Sequence, residues 1–316
     1  MMRRWMDRAL LGLGWGALGA AVAGLILHVG HWQRKNLVLL ASGAMWLMLG
    51  AVLGVVLLLA ARRWRSAGVA GVVLAGVLWT LVPPFVPDSR AADGPELVVL
   101  QSNLLFGQAD PVAVTGVVRD HAVDVLTVDE LTDDAIVRLR AAGLEEQLPH
   151  VYLEPARSGG GGTGIYSRYP LHDTVKYDGF IMSNISATMR HPQRGDIAVF
   201  AFHPIPPNLN FDAWKAELGR VDEILARVSG PAVVGADFNA TQHHSAYRAL
   251  LDGPFAAAAE QTGDGVLLTF PADRRWGPVI GIDHILVAGG VAEQVRALTI
   301  PGSDHRAVLA TVRLDR

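Results

Sequence analysis

Along its first ninety residues the chain alternates long apolar runs with short charged gaps. Three stretches, 9–30, 36–61 and 66–87, contain no Asp, Glu, Lys or Arg. Each has the roughly 20 residues that an α-helix needs to cross a hydrocarbon core. The pattern therefore predicts three transmembrane helices in a membrane anchor over 1–90. A cleavable leader would account for the first run, which Arg3, Arg4 and Arg8 precede, but two more runs follow at once. Buried helices of a soluble domain rarely come three in a row with charges confined to the gaps.

After residue 90 the runs shorten and the period changes. "ELVVLQSNLL" and "VDVLTVDEL" read as strands, as do "DIAVFAFH", "PAVVGADFN", "GIDHILV" and "HRAVLATVRL". "PVAVTGVVRDHA", "DDAIVRLRAAG" and "FDAWKAELGRVDEILARV" have the 3.6-residue spacing of amphipathic helices. Apolar strands alternating with such helices predict an α/β fold with two packed sheets over 91–316. The joint is "PPFVPDSRAADGPE", residues 83–96, rich in proline and small residues. Fully extended it would span about 45 Å at roughly 3.3 Å per residue, so the second domain is tethered near the membrane.

Charge divides the chain the same way. The first ninety residues hold nine of the 27 Lys and Arg and two of the 30 Asp and Glu, which leaves 91–316 with a formal charge of −10. A domain so acidic, with no basic run, begins at a disadvantage with nucleic acid, whose affinity rests on phosphate neutralisation. No feature points to a protein partner; the partners expected are the lipid bilayer and a phosphorylated substrate. Cysteine is absent, so disulfides, thiolate metal sites and a cysteine nucleophile are excluded. Arg3, Arg4 and Arg8, with Arg62, Arg63 and Arg65 between the second and third runs, set those segments on the cytoplasmic side. Three crossings would then place 91–316 outside, in a multi-pass protein of the cell membrane.

Polar residues close most of the predicted strands. Asn103 ends "VVLQSN", Glu130 ends "VLTVDE", His203 ends "IAVFAFH", Asp237 and Asn239 end "AVVGADFN", Asp283 and His284 interrupt "GIDHILV", and Asp304 with His305 precedes "RAVLA". Taken singly, a strand-end Asp or Asn is more often a turn former or helix cap. Together they converge at one edge of the sheet, where α/β proteins usually place their sites. "RSGGGGTG" lacks the Lys and Ser/Thr of a nucleotide P-loop and reads as a flexible turn near the site. His243 and His244 read as a solvated helix start rather than zinc ligands, and Arg168 as a holder of a neighbouring carboxylate.

These pieces, "QSNLLF", "LTVDEL", "GIYSRYP", "FHP", "GADFN", "GIDHIL" and "GSDHRAV", resemble in order and spacing the endonuclease/exonuclease/phosphatase superfamily, the DNase-I-like phosphoesterases. The resemblance spans 96–316 and implies a two-sheet α/β sandwich and a Mg²⁺- or Mn²⁺-dependent hydrolase. It implies that Glu130, Asn103 and Asp304 hold the cation, as hard oxygen ligands do, and that Asp283 orients His305 as base or transition-state donor. It further implies that Asp237 positions water and that Asn239 and His203 contact the phosphate. One departure from the family pattern is Asp129, where Gln often precedes the motif's glutamate. The layout of three spans before this domain is similar to membrane-anchored phosphatases of the actinomycete teicoplanin-resistance type. That similarity implies a lipid-linked pyrophosphate substrate at the outer surface, with Phe270 and Trp276 as lipid contacts, and an antibiotic-resistance role. An extracytoplasmic nuclease, or a phosphodiesterase of phospholipase C type, would use the same residues. A binding module that had lost catalysis would lack at least one of them.

Overall fold

The computed structural model describes residues 2–316; the side chains of Arg3 and Arg4, on which the expected orientation partly rests, lie outside the described residues. The chain forms two compact units, one reaching to Pro83 and including Gln242–Ser245, the other comprising Pro84–Thr241 and Ala246–Arg316.

In the first unit two helices, Trp5–Val29 and Trp64–Leu81, are long and apolar enough to cross a membrane. The middle run is not one straight helix: Lys35–Ala41 and Ala44–Ala60 meet at a bend of 62°, the geometry of a broken span or a re-entrant loop. Ser42 and Gly43 occupy the bend, and Gly/Ser pairs are a usual cause of such kinks. Small residues bring the helices together. A Cβ on Gly54 would lie 3.3 Å from the Gly14 carbonyl oxygen, and Ala21, Ala44 and Ala51 are fully buried, as close helix packing in membranes favours. His243 and His244, expected to be solvated, are 2% and 4% exposed.

The second unit carries the strands, in chain order β1 (Glu96–Asn103), β2 (Val125–Asp129), β3 (His150–Glu154), β4 (Thr163–Ser167), β5 (Leu171–Lys176), β6 (Ile185–His191), β7 (Gly195–Phe202), β8 (Ala232–Asp237), β9 (Ala256–Ala257), β10 (Asp283–Ala288), β11 (Gly290–Thr299) and β12 (Arg306–Leu314). They form two mixed six-stranded sheets, ordered β11-β12-β1-β2-β4-β3 and β5-β6-β7-β8-β10-β9. The sheets pack face to face. Leu97, Val99, Val125 and Ile165 of the first meet Ile185, Val199, Val233 and Val287 of the second. The alternate residues of the first sheet, Val98, Leu100, Leu126 and Val128, face outward into a second core with Val114, Val118 and Leu139 of the helices Pro111–Asp120 and Asp133–Ala141. Asp110 caps the earlier helix by accepting from the main-chain N–H groups of Val112 and Ala113, with Pro111 at the first position. On the side of the second sheet, Phe211–Leu225 buries Trp214, Leu218, Val221 and Leu225. Its buried Glu217 accepts main-chain hydrogen bonds from Ile181 and Ile205 at 2.8 and 2.7 Å.

The inter-sheet layer changes character along its central strands. Successive inward residues run Leu97, Val99, Gln101, Asn103 on β1 and Val125, Thr127, Asp129 on β2. Opposite them run Val233, Gly235, Asp237 on β8 and, in the reverse direction, Asp283, Ile285, Val287 on β10. Two-residue periodicity keeps each series on one face. One end of the gap between the sheets is therefore aliphatic and the other polar.

Candidate active site

At that polar end β1 and β2 are parallel with Asn103 beside Asp129, and β8 and β10 are antiparallel with Asp237 beside Asp283. Pairing therefore places the Asp237 and Asp283 side chains next to each other on the inward face. The next residue, His284, turns to the other face, where its Nε2 meets the Ala240 carbonyl at 3.0 Å and its ring lies 4.3 Å from that of Tyr247.

The structure brings all eight candidate residues into one contiguous group. Asn103 is central: its Nδ2 donates to Glu130 Oε1 at 3.2 Å and to Asp237 Oδ2 at 3.1 Å. Asp283 Oδ2 lies 2.8 Å from His305 Nδ1. Asp237 Oδ2 lies 3.8 Å from His305 Nδ1 and 3.7 Å from His203 Nε2. Asp304 Oδ1 is 3.9 Å from His305 Nε2. Asn239 joins through its main-chain N–H, which donates to Asp237 Oδ1 at 2.9 Å, while its Nδ2 donates to the Pro204 carbonyl. The group fills the end of the gap between two sheets rather than the edge of one.

Backbone geometry aims these side chains. Glu130 and Asn239, just beyond β2 and β8, have φ of +57° and +49°, and Leu105 and Phe106 have +46° and +50°. Non-glycine residues adopt this region at a cost and concentrate at functional sites. The turn at 105–106 directs two main-chain donors into the site: Leu105 N–H to Asn103 Oδ1 at 2.9 Å and Phe106 N–H to Glu130 Oε2 at 2.7 Å. Ser303 clips the ends together, its Oγ donating to the Asn103 carbonyl at 2.8 Å and accepting from His305 N–H at 3.0 Å. Neither Phe106 nor Ser303 stood out in the sequence, because one acts through its main chain and the other through an ordinary hydroxyl inside "GSDH".

The electrostatics are those of carboxylates lacking enough positive charge. Burial raises the pKa of Glu130 and of Asp304, and burial together with Asp283 raises that of Asp237. Burial also pushes against ionisation of Asp283, but the charge and hydrogen bond of His305 outweigh it and hold this carboxyl below its usual value. For His305 burial opposes the charged form, yet Asp283, Asp237 and Asp304 prevail and raise its pKa to about 10. His203 is driven down to about 4, first by burial and then by the charge on His305.

A hard divalent cation fits this donor set. Ligand atoms of Asp237, Asp283 and His305 lie within 4.8 Å of one another, but His305 and Asp283 are already bound to each other, and a histidine nitrogen suits Mg²⁺ poorly. Glu130, Asn103 and Asp304 would offer a cradle of oxygen donors, which such a cation prefers, with Glu130 near enough to Asp304 to feel its charge. Gly160, in the glycine-rich turn, has no side chain where a Cβ would stand 3.1 Å from the Glu130 carboxyl carbon. Arg168 lies away from this cradle, bonded to Asp124 Oδ1 at 3.0 Å and to the Val123 carbonyl at 2.7 Å.

Two mixed sheets packed face to face, with an acid–amide–imidazole cluster at one end of their interface, define a hydrolase of the DNase-I-like α/β class. The chain belongs to the Endonuclease/Exonuclease/phosphatase family, which its sequence matches over residues 100–305. Curated protein sequences yield no match. Among solved structures, the chain is similar to an endonuclease/exonuclease/phosphatase from Beutenbergia cavernae DSM 12333, at 17% identity and a TM-score of 0.55 over 70% of this chain and 72% of that one. It is similar to D. rerio TDP2 complexed with single strand DNA product, at 14% identity and a TM-score of 0.57 over 69% and 98%. A mannosyl-6-phosphatase from Bacteroides thetaiotaomicron VPI-5482 shares 19% identity with a TM-score of 0.52 over 68% and 99%. The family is one of phosphoesterases and nucleases that generally depend on divalent metal.

Proposed function

We propose that this hydrolase removes phosphate from a lipid-linked pyrophosphate at the outer membrane surface. Residues 1–90 act as a multi-pass anchor and 91–316 as an extracytoplasmic catalytic domain. The observation that carries the phosphoesterase reading is the His305–Asp283 pair at 2.8 Å beside the oxygen cluster of Glu130, Asn103 and Asp237. A neutral binding surface would have no use for so much buried, unbalanced charge. Support for a lipid substrate comes from the apolar helices of the first unit, from the acidity of 91–316, and from exposed aromatic rings at Phe106 and Trp276.

In this reading Glu130, Asn103 and Asp304 would hold Mg²⁺ or Mn²⁺, which would supply neutralisation of phosphoryl oxygens and activation of water. The remaining steps belong to the chain. Asp283 accepts from His305 Nδ1 and so leaves Nε2 to face the reacting phosphate. The carboxylates of Asp283 and Asp237, 2.8 and 3.8 Å from Nδ1, favour the imidazolium form of His305, a donor for charge developing on phosphoryl oxygen. Asp237, whose carboxyl lies between Asn103 and His203, orients the attacking water. Asn239 and His203 contact the phosphate. Phe270, its ring tilted by 44° and centred 4.8 Å from that of His305, excludes water from the imidazole, and together with Trp276 it meets the lipid chain. An antibiotic-resistance role of the teicoplanin type would follow from such a substrate.

A substrate panel tests the reading. Full-length protein in detergent, with Mg²⁺ or Mn²⁺, is expected to release inorganic phosphate from polyprenyl pyrophosphate faster than it cleaves phospholipid or nicks plasmid DNA. Efficient nicking without phosphate release would instead make it a nuclease. A structure similar to TDP2 complexed with single strand DNA product makes DNA the necessary competitor in that panel.

A further inference from the structure

Beneath the proposed machinery lies a carboxyl that has no part in it. Asp129 is fully buried, and its charge is opposed by burial and by the neighbouring Asp237. Aliphatic packing would join the two sheets at lower cost, so the polar group calls for another explanation. Its bonds supply one. Asp129 Oδ2 accepts from Gln101 Nε2 at 3.0 Å and, across the gap, from the main-chain N–H of Asp237 at 3.0 Å. The same Gln101 Nε2 donates to Asp283 Oδ1 at 3.1 Å, and the other oxygen of Asp283 holds His305. The network starts on β2, passes through β1, and fixes both carboxylate strands of the opposite sheet. The site needs those two strands in register, because Asp237 and Asp283 both face the imidazole. Gly235 permits the close approach: a Cβ there would meet Gln101 Cβ at 3.2 Å.

We infer that Asp129 and Gln101 are positioning residues, a cross-sheet pair that fixes where Asp237 and Asp283 stand around His305 without touching substrate. The inference rests on the phosphoesterase reading for its kinetic consequences and on geometry alone for its structural ones. Replacement by Asn separates the hydrogen-bonding role of Asp129 from its charge. Asp129→Asn keeps an acceptor for Gln101 and Asp237, and its amide nitrogen takes the place of Asp129 Oδ1, which has no partner. Asp129→Leu and Gln101→Leu keep bulk and remove the bonds.

The test uses full-length protein in detergent, labelled with ¹⁵N-histidine. The His305 Nδ1 proton, assigned by its loss in Asp283→Asn, is expected downfield in the wild type. It should shift or broaden in Gln101→Leu and Asp129→Leu and return to the wild-type position in Asp129→Asn. An unchanged resonance in both Leu variants overturns the inference. If Asp129→Leu does not fold, Gln101→Leu and Asp129→Asn decide it. On the phosphoester that the wild type turns over, either Leu variant should lower kcat on the order of 10- to 100-fold, the range for a displaced catalytic group, with KM little changed. Combined with Asp283→Asn, it should add little, since both act through one imidazole. Fully multiplicative losses also overturn the inference. Absence of any phosphoesterase activity in the wild type would remove the functional reading, and the resonance would still decide this one.

Discussion

Each side chain in the site is held by a neighbour whose loss has a distinct signature. Glu130 lies beside Asn103 at 3.2 Å and takes the Phe106 N–H at 2.7 Å, so Glu130→Gln keeps the shape but removes the charge that attracts a cation. Activity should fall strongly and recover in part as Mg²⁺ is raised, which a metal titration of initial rates will show. His305→Ala leaves the oxygens of Glu130, Asn103 and Asp304 in place. Its turnover should fall on the order of 10²- to 10⁴-fold with no recovery at high metal. Turnover close to the wild-type value would take His305 out of the mechanism. Asp283→Asn should fall between, because Asp283 acts on the imidazole through a single bond at 2.8 Å.

Among the elements, β8 bears the tightest constraint. Gly235 lies where a Cβ would collide with the Thr127 hydroxyl and stand 3.2 Å from both Gln101 Cβ and Thr127 Cβ. Gly235→Ala must push the sheets apart at the base of the site, and overpacking of this kind costs about 1–3 kcal/mol. Thermal unfolding followed by tryptophan fluorescence should show a midpoint several degrees lower; an unchanged midpoint would mean that the sheets yield there freely. The same scale shows why some strands were hidden in the sequence. "LHDTVK" of β5 is half-buried to exposed and lacks an apolar face. In β11 a register shift between Ala292 and Gln294 breaks the alternation that a sequence reading depends on. The second apolar run was legible as membrane-like, but the bend at Ser42 and Gly43 depends on how helices of that unit pack.

At the scale of the whole molecule, basic residues concentrate at the amino terminus and around residues 62–65, and acidic ones beyond residue 90. If that bias sets the topology, an alkaline phosphatase reporter fused after Arg316 should be active and a cytoplasm-dependent fluorescent reporter dark. The reverse pattern would overturn both the proposed orientation and an outer-leaflet substrate. The bend in the middle helix pair makes this measurement decisive, since a re-entrant loop in place of a span would leave an even number of crossings and bring 91–316 to the cytoplasmic side.

What the amino-acid order alone determined was the division between a membrane-like segment and an α/β segment, and the identity of the strand-end residues. Both follow from local rules: the length of an apolar run against bilayer thickness, and the two-residue period of a strand. Only the tertiary structure decided which of those residues meet. Asp237 and Asp283 are 46 positions apart, and Gln101 and Asp129 are 28 apart, yet the pairing of β8 with β10 sets the first two opposite each other, and that of β1 with β2 brings the Gln101 amide diagonally within 3.0 Å of the Asp129 carboxyl. Asp129 looked in the sequence like a departure from the family's pattern. Once the sheets close on each other, its carboxyl is the group that the Gln101 amide and the Asp237 N–H both require, because a buried donor must find an acceptor and the fold offers this one.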